Sequence, residues 1–471
     1  MTERTAQRWV LALTSAAALM VALDQLVVST ALTTMQRDLH ASLQTLEWTV
    51  NAYSLSFAVL LMTAAALGDR WGRRRILVAG LILFTLSSAA CALAPSVGWL
   101  IAARAVQGAG SACVMPVAMA MLTAAYPPER RGKALGVFSA LVGLAVVGGP
   151  LVDGAVTEGL AWQWIFWLNV PVGLVVVPLV LTRTSETFGP RRRLDAVGVL
   201  LATASAFGLV WGLIRGNPAG WGSAEVLVAL CVGGTAFVAF VLWELRVDEP
   251  MLPMQFFRSR AFAAGNASAF LMYATLMGAL FFVSQYLQVS FRYGALGAGL
   301  RLLPWTAPLF VAGPVSGILS DRFGPRTLLS TGLLLQSAGL AWISLNAAAH
   351  AGYGASVAAL VVAGTGVTMA MPAAQSAVLG AVPPSAIGKA SGTFHTLRQI
   401  GAVFGIAVLA TVFAAQGSFV SPSRFDDGLA PALAVAAAMS LAGAAIALRT
   451  PGRTKPEPAQ LADPVPAGAR G

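Results

Sequence analysis

Apolar runs of 18 or more residues recur from one end of this 471-residue chain to the other. Folded as a helix, each run is long enough to cross about 30 Å of hydrocarbon. The runs are continuous rather than alternating, which argues for helices and against a transmembrane β-barrel. Charged residues make up only 10% of the chain, where a soluble domain carries about 25%. The sequence therefore predicts an all-α polytopic membrane protein.

Fourteen transmembrane helices are expected, at 9–32, 45–67, 76–94, 99–124, 134–156, 162–181, 195–214, 225–245, 262–287, 297–319, 327–348, 354–379, 391–415 and 429–448. The first run has no small-residue cleavage site close behind it and reads as a retained span. The net charge of +11 would suit nucleic acid if it formed one patch. Instead, 23 of the 30 Lys and Arg residues fall in the N-terminus, the even-numbered loops and the C-terminus. That asymmetry puts both termini in the cytoplasm and predicts no nucleic-acid partner. The partner is the lipid bilayer, expected to be a bacterial cytoplasmic membrane. The tail after 449 is Pro- and Ala-rich and is expected to be disordered.

The loop after the second span reads "ALGDRWGRRR" (66–75), and "ILSDRFGPRT" (318–327) echoes it. Asp69, Arg70, Gly72 and Arg74 match Asp321, Arg322, Gly324 and Arg326 at equal spacing. One copy follows span 2 and the other follows span 10. Two six-helix bundles related by this repeat need two helices inserted between them, most simply spans 7 and 8. The expected organisation is a first bundle over 9–181, an inserted pair over 195–245, a second bundle over 262–448 and a tail over 449–471. Paired repeats around a site at the bilayer midplane are transporter architecture.

Four polar positions inside the apolar runs stand out. Asp24 in span 1 lies about fifteen residues, or roughly 22 Å, from the cytoplasmic end. Span 4 runs the opposite way and puts Arg104 at a similar depth. An intramembrane Arg is costly and usually functional, although Arg104 is close enough to a helix end to reach the headgroups. Burial favours a neutral carboxyl and a nearby Arg favours a charged one. Asp24 and Arg104 are thus either a proton-coupling pair or a structural ion pair. In "HTLRQIGAVFG" (395–405), His395 and Arg398 are further intramembrane polar residues, and His395 either titrates near neutral pH or stays buried and neutral.

The loop stretch 65–75 resembles the signature of the major facilitator superfamily, with Ala65 where the family has Gly. "LIAARAVQGAGSA" (100–112) resembles its span-4 motif, whose Arg is linked to proton coupling. "LDQLVVSTAL" (23–32), "WTVNAYSL" (48–55), "WQWIFWLNVPVG" (162–173), "VSQYLQ" (283–288) and "GLRLLP" (299–304) resemble the fourteen-span drug:proton antiporters of that superfamily. "GLAVVGGPLVDGAV" (143–156) resembles the antiporter motif of exporters, with Gly149 and Pro150 kept and Asp153 in place of the usual Gly. Asp153 either closes a helix end or adds a second carboxylate to the outer vestibule.

The resemblance implies proton-coupled export of bulky hydrophobic drugs or antibiotics by a non-enzymatic, alternating-access carrier. It implies protons as coupling ion, no other cofactor, and a monomer. Trp48, Asn51, Tyr53, Met115 and Gln285 are expected near the substrate cavity, and the two loop copies are expected to latch the halves. Few intramembrane acids are present, which favours monocationic, neutral or zwitterionic substrates over dications. The rival readings are a proton-linked carrier of one metabolite and a non-transporting membrane sensor. The chain has no Gly-x4-Gly-Lys-Ser/Thr run and no clustered His, Cys and carboxylate set, so neither a P-loop nucleotide nor a metal site is expected.

Overall fold

The computed structural model describes residues 3–127, 161–189, 195–248, 254–309, 323–382 and 387–450, with isolated positions between. No strand occurs among them. The helices are α1 (Glu3–Asp38), α2 (Leu43–Trp71), α3 (Arg73–Ala92), α4 (Val97–Ala125), α5 (Trp164–Trp167) and α6 (Asn169–Arg183). They continue as α7 (Ala196–Ala219), α8 (Ala224–Glu244), α9 (Arg260–Val289), α10 (Ala295–Arg301) and α11 (Leu303–Thr306). Last come α12 (Pro325–Ala348), α13 (Tyr353–Leu379), α14 (Ile387–Gln416) and α15 (Pro422–Ala447). Among the described residues, eleven helical segments are long and apolar enough to cross a bilayer, twelve when the bent α2 is included. Most of span 134–156, and span 297–319 from 310 on, fall outside the described residues.

Short polar side chains start many of these helices. Ser42, Ser96, Ser223, Ser259 and Ser421 each accept a hydrogen bond from the backbone N–H three residues on, and Asp195 does the same for Gly198. Those bonds satisfy donors that a helix start leaves orphaned. Pro116, Pro178, Pro372 and Pro431 sit inside α4, α6, α13 and α15, as transmembrane helices tolerate. Large apolar side chains such as Leu174, Leu200 and Leu345 stay exposed on faces that meet hydrocarbon.

The echoed loops share one turn. Gly72 (φ 109°) ends α2 and starts α3, and Gly324 (φ 82°) starts α12. A side chain is strained at positive φ, which explains the glycine in both copies. α2 and α3 are therefore joined by a single residue, and Asp69 and Arg70 lie in the last turn of α2.

In the first half, α4 packs on α1, α2 and α3, and α6 packs on α1 and α3. In the second half, α9 packs on α14 and α15, and α12 on α13 and α15. α7 and α8 pair with each other, and α7 also rests on α2 and α14. The halves meet through α2 against α14 and α1 against α9. The buried apolar side chains divide by height. Val10, Leu13, Phe57, Leu61, Leu77 and Leu122, toward the end of the molecule that holds the N-terminus, form a core confined to the first half. Met35, Leu46, Leu100, Trp162 and Phe166, at the opposite end, share one core with the second half.

Candidate functional site

Asp24 and Arg104 meet. The Arg104 Nη1 donates to Asp24 Oδ2, and neither side chain is exposed. Arg104 does not reach the headgroups. The Asp24 Oδ1 accepts from Gln107 Nε2 at 2.9 Å and from Asn169 Nδ2 at 2.9 Å. Arg104 Nη1 also donates to Gln107 Oε1 at 2.8 Å, and its Nε to the Thr49 carbonyl at 3.1 Å. Its guanidinium lies 4.1 Å from the Tyr53 ring centroid and 5.7 Å from that of Phe166. Taking two charges out of water is expensive, and attraction offsets the cost only when geometry is good and the other lone pairs and protons are matched. Here the carboxylate has three donors, and one guanidinium nitrogen, Nη2, has no partner among the described residues.

Five helices build this site. Asp24 comes from α1, Thr49 and Tyr53 from α2, Arg104 and Gln107 from α4, and Asn169 from the start of α6; behind it, α3 contributes Ser88. Ser88 accepts from Asn169 Nδ2 at 3.0 Å and donates to the Phe166 carbonyl at 2.8 Å, fixing the Asn169 amide. Tyr53 is held by Ser111 Oγ at 2.7 Å. α2 approaches α4 closely at Gly108, where a Cβ would lie 2.2 Å from Ser56 Oγ and from the Tyr53 carbonyl. Only glycine lets Tyr53 come under the guanidinium there. Gln107 and Asn169 were not singled out in the sequence. Their signal was available, since each is an amide inside an apolar run and Gln107 stands three residues from Arg104 on one helix face.

The other expected residues are dispersed. Tyr53 joins the ion pair. Asn51 is fully buried, and neither of its amide atoms has a hydrogen-bond partner among the described residues. Met115 packs in the first-half core, and Gln285 is buried in α9. Trp48 turns to α7, with ring centroids 5.8 Å from Phe207 and 5.4 Å from Trp211. These three rings line a 610 Å³ cavity between α2, α4 and α7, together with Leu55, Ile101 and Arg215.

On α14, Arg398 lies over the Tyr273 ring of α9 at 4.4 Å. His395 stands beside Phe394. The next residue, Gln399, accepts from Gln25 Nε2 at 3.0 Å, which ties α14 to α1 one residue from Asp24.

At the loop after α2, Arg73 grips Asp69 through Nε at 2.9 Å and Nη2 at 2.8 Å. Glu186, on the strap after α6, accepts from the Arg74 backbone N–H at 2.7 Å and lies near the Arg74 and Arg75 guanidinium groups. Gly189 N–H donates to the Asp69 carbonyl at 3.0 Å. All these contacts stay within the first half. Arg70 and Arg326 are exposed. Asp321, Arg322, Gly149, Pro150 and Asp153 lie outside the described residues.

The sequence matches the family profile described as Major Facilitator Superfamily over residues 14–244 and 262–469. It is 35% identical to the tetracenomycin C resistance and export protein of Streptomyces glaucescens, covering 88% of this chain and 77% of that protein. It is 36% identical to a methylenomycin A resistance protein of Streptomyces coelicolor, covering 90% and 88%. The cephamycin export protein of Amycolatopsis lactamdurans is 35% identical over 94% and 91%. Among solved structures, a POT family transporter in complex with 5-aminolevulinic acid superposes with a TM-score of 0.70 at 15% identity, covering 92% and 94%. At that identity the likeness speaks for the fold alone.

Proposed function

We propose that this chain, which belongs to the major facilitator superfamily, exports bulky, largely apolar drugs or antibiotics in exchange for protons. The observation that carries the reading is the buried Asp24–Arg104 pair with its Gln107 and Asn169 donors. Relatives named for antibiotic resistance and export support the direction of transport. The Lys and Arg asymmetry supports cytoplasmic termini in a bacterial cytoplasmic membrane. The carrier acts as a monomer, with protons as its coupling ion and no other cofactor.

Each step follows from charge. With Asp24 ionised, its oxygens hold α4 and α6 against α1 through Arg104, Gln107 and Asn169. A proton on Asp24 cancels the attraction for Arg104 and turns an acceptor oxygen into a donor, so the three helices lose their common anchor. Two bundles, 9–181 and 262–448, then rock about the cavity between them. Their shared core at the outer end and separate cores at the inner end support a cavity that opens to the cytoplasm in this state. The Gly72 and Gly324 turns with their flanking charges latch one orientation. Substrate enters from inside, the outer contact opens, and a proton entering from outside resets the pair.

The test uses inverted vesicles energised to an acid interior, with a pH-reporting dye. Lipophilic drugs and antibiotics are added to wild type and to Asp24→Asn. Substrate-induced loss of the gradient in wild type and none in the variant is expected. Equal responses in the two would place coupling elsewhere.

A further inference from the structure

Two arginines, Arg104 and Arg398, stand inside apolar stretches of the described helices α4 and α14. Asp24 neutralises Arg104. Arg398 has no such partner: among the described residues no carboxylate pairs with it. Its Nε is shielded from solvent without a hydrogen-bond acceptor, while the side chain as a whole is only partly buried. The guanidinium rests on the face of Tyr273, 4.4 Å from the ring centroid, and the Tyr273 hydroxyl points to Met371 Sδ of α13 at 4.0 Å. Ring stacking offsets part of the cost of burying a cation, and the Tyr273 side chain also hydrogen-bonds the guanidinium, but among the described residues Nε keeps no acceptor. A charged group inside a membrane protein is expected to have a charged partner, and where the described residues supply no carboxylate a ligand can.

Position tells which ligand. The residue after Arg398, Gln399, bonds to Gln25 across the junction of the two halves, and Gln25 follows Asp24. Arg398 therefore stands on the second half at the height of the ion pair on the first. Its surroundings are an aromatic ring and a thioether, Tyr273 and Met371, with His395 one turn toward the inner end of α14. That combination fits a flat apolar body bearing one acid.

Building on the export reading above, we propose that Arg398 receives an anionic group of the substrate, a carboxylate or a phenolate, on a molecule whose aromatic or alicyclic body lies against Tyr273 and Met371. The guanidinium fork matches a carboxylate with two parallel N–H donors. Such an anion goes beyond the monocationic, neutral or zwitterionic substrates that the scarcity of acids suggests. A membrane potential that is negative inside also drives an anion outward.

The test compares three probes with one body: 1-pyrenebutyric acid, its methyl ester and 1-pyrenebutylamine. Binding to the purified full chain at neutral pH is read by energy transfer from tryptophan to pyrene. The wild type is expected to bind the acid about tenfold more tightly than the ester, the gain of a charge-assisted hydrogen bond. Arg398→Ala should bring the acid-to-ester ratio to about one, and Arg398→Lys should keep part of it, because charge survives and the fork does not. A wild-type ratio near one, no binding of the acid, or an unchanged ratio in Arg398→Ala overturns the proposal. Export of the same probes from proteoliposomes is measured separately. Acid-selective binding without gradient-driven movement would sink the export reading and leave the site standing. Movement of ester and amine as fast as the acid would do the reverse.

Discussion

At the scale of single residues the first half is organised around one carboxylate. Asp24 takes three hydrogen bonds from two helices that do not adjoin it in sequence, so its partners differ in what their loss does. Arg104→Ala leaves Asp24 buried without a counter-ion and removes the bond to the Thr49 carbonyl. It should destabilise the protein by about 3–5 kcal/mol. Asp24→Asn keeps an acceptor oxygen for the guanidinium and should cost less. Unfolding of the two variants in the same detergent ranks them; equal losses would mean that the pair acts as charge alone. His350 is a second local case, at the turn between α12 and α13. It bonds to Asp426 Oδ2 at 3.0 Å, and that bond raises its pKa above the ordinary 6.5. Because the folded value is the higher one, the pairing contributes stability below pH 6.5 and loses it as pH rises through the raised value. The melting difference between wild type and His350→Ala should be largest in mild acid and should vanish in mild base. A difference that grows with pH would have the wrong sign.

At the scale of elements, two connections show how charge outside the membrane is used. The α2–α3 turn is one glycine long, and its basic cluster is read by the strap that follows α6. Glu186 caps α3 from outside by accepting the Arg74 N–H, and the Arg73 N–H donates to the Thr187 carbonyl at 2.9 Å. Both bonds satisfy donors at a helix start, where the dipole favours a negative group. Glu186→Ala should therefore cost about 1 kcal/mol, and Glu186→Gln, which keeps the acceptor oxygen, should cost less. Thermal melts of the pair decide; an order reversed would mean that Glu186 repels more than it caps. α7 and α8 are placed asymmetrically. α8 touches α7, whereas α7 packs Ala206 and Val210 on Leu55 and Val59 of α2 and Val403 and Ala407 of α14. Thr411 Oγ1 donates to the Leu213 carbonyl at 2.9 Å. α7 thus bridges the two halves, and α8 covers α7.

At the scale of the molecule, the buried apolar side chains join the two halves at one end and divide between them at the end that holds the N-terminus. The Gln25–Gln399 bond at 3.0 Å is a polar contact across that junction. With Cys91, Cys113 and Cys231 replaced, cysteines at 25 and 399 should join readily through a short bifunctional thiol reagent. The link should stop substrate-driven proton movement, because it forbids the halves from parting there. Linked protein that still transports would mean that this junction does not move.

The sequence by itself determined that the chain is a bundle of membrane helices, because the hydrophobic requirement of a bilayer acts on each run separately and needs no tertiary information. It also determined the turn glycines, since positive φ is a local demand, and the two intramembrane arginines, since a cation in an apolar run is conspicuous wherever it goes. Tertiary structure alone decided which charges meet. Gln107 and Asn169 became partners of Asp24, Glu186 became the reader of Arg74, and Trp48 turned to α7. These outcomes depend on the rotation and height of helices distant in the chain. Arg104 and Arg398 look alike in sequence. Only packing gave the first a carboxylate and, among the described residues, left the second with an aromatic face.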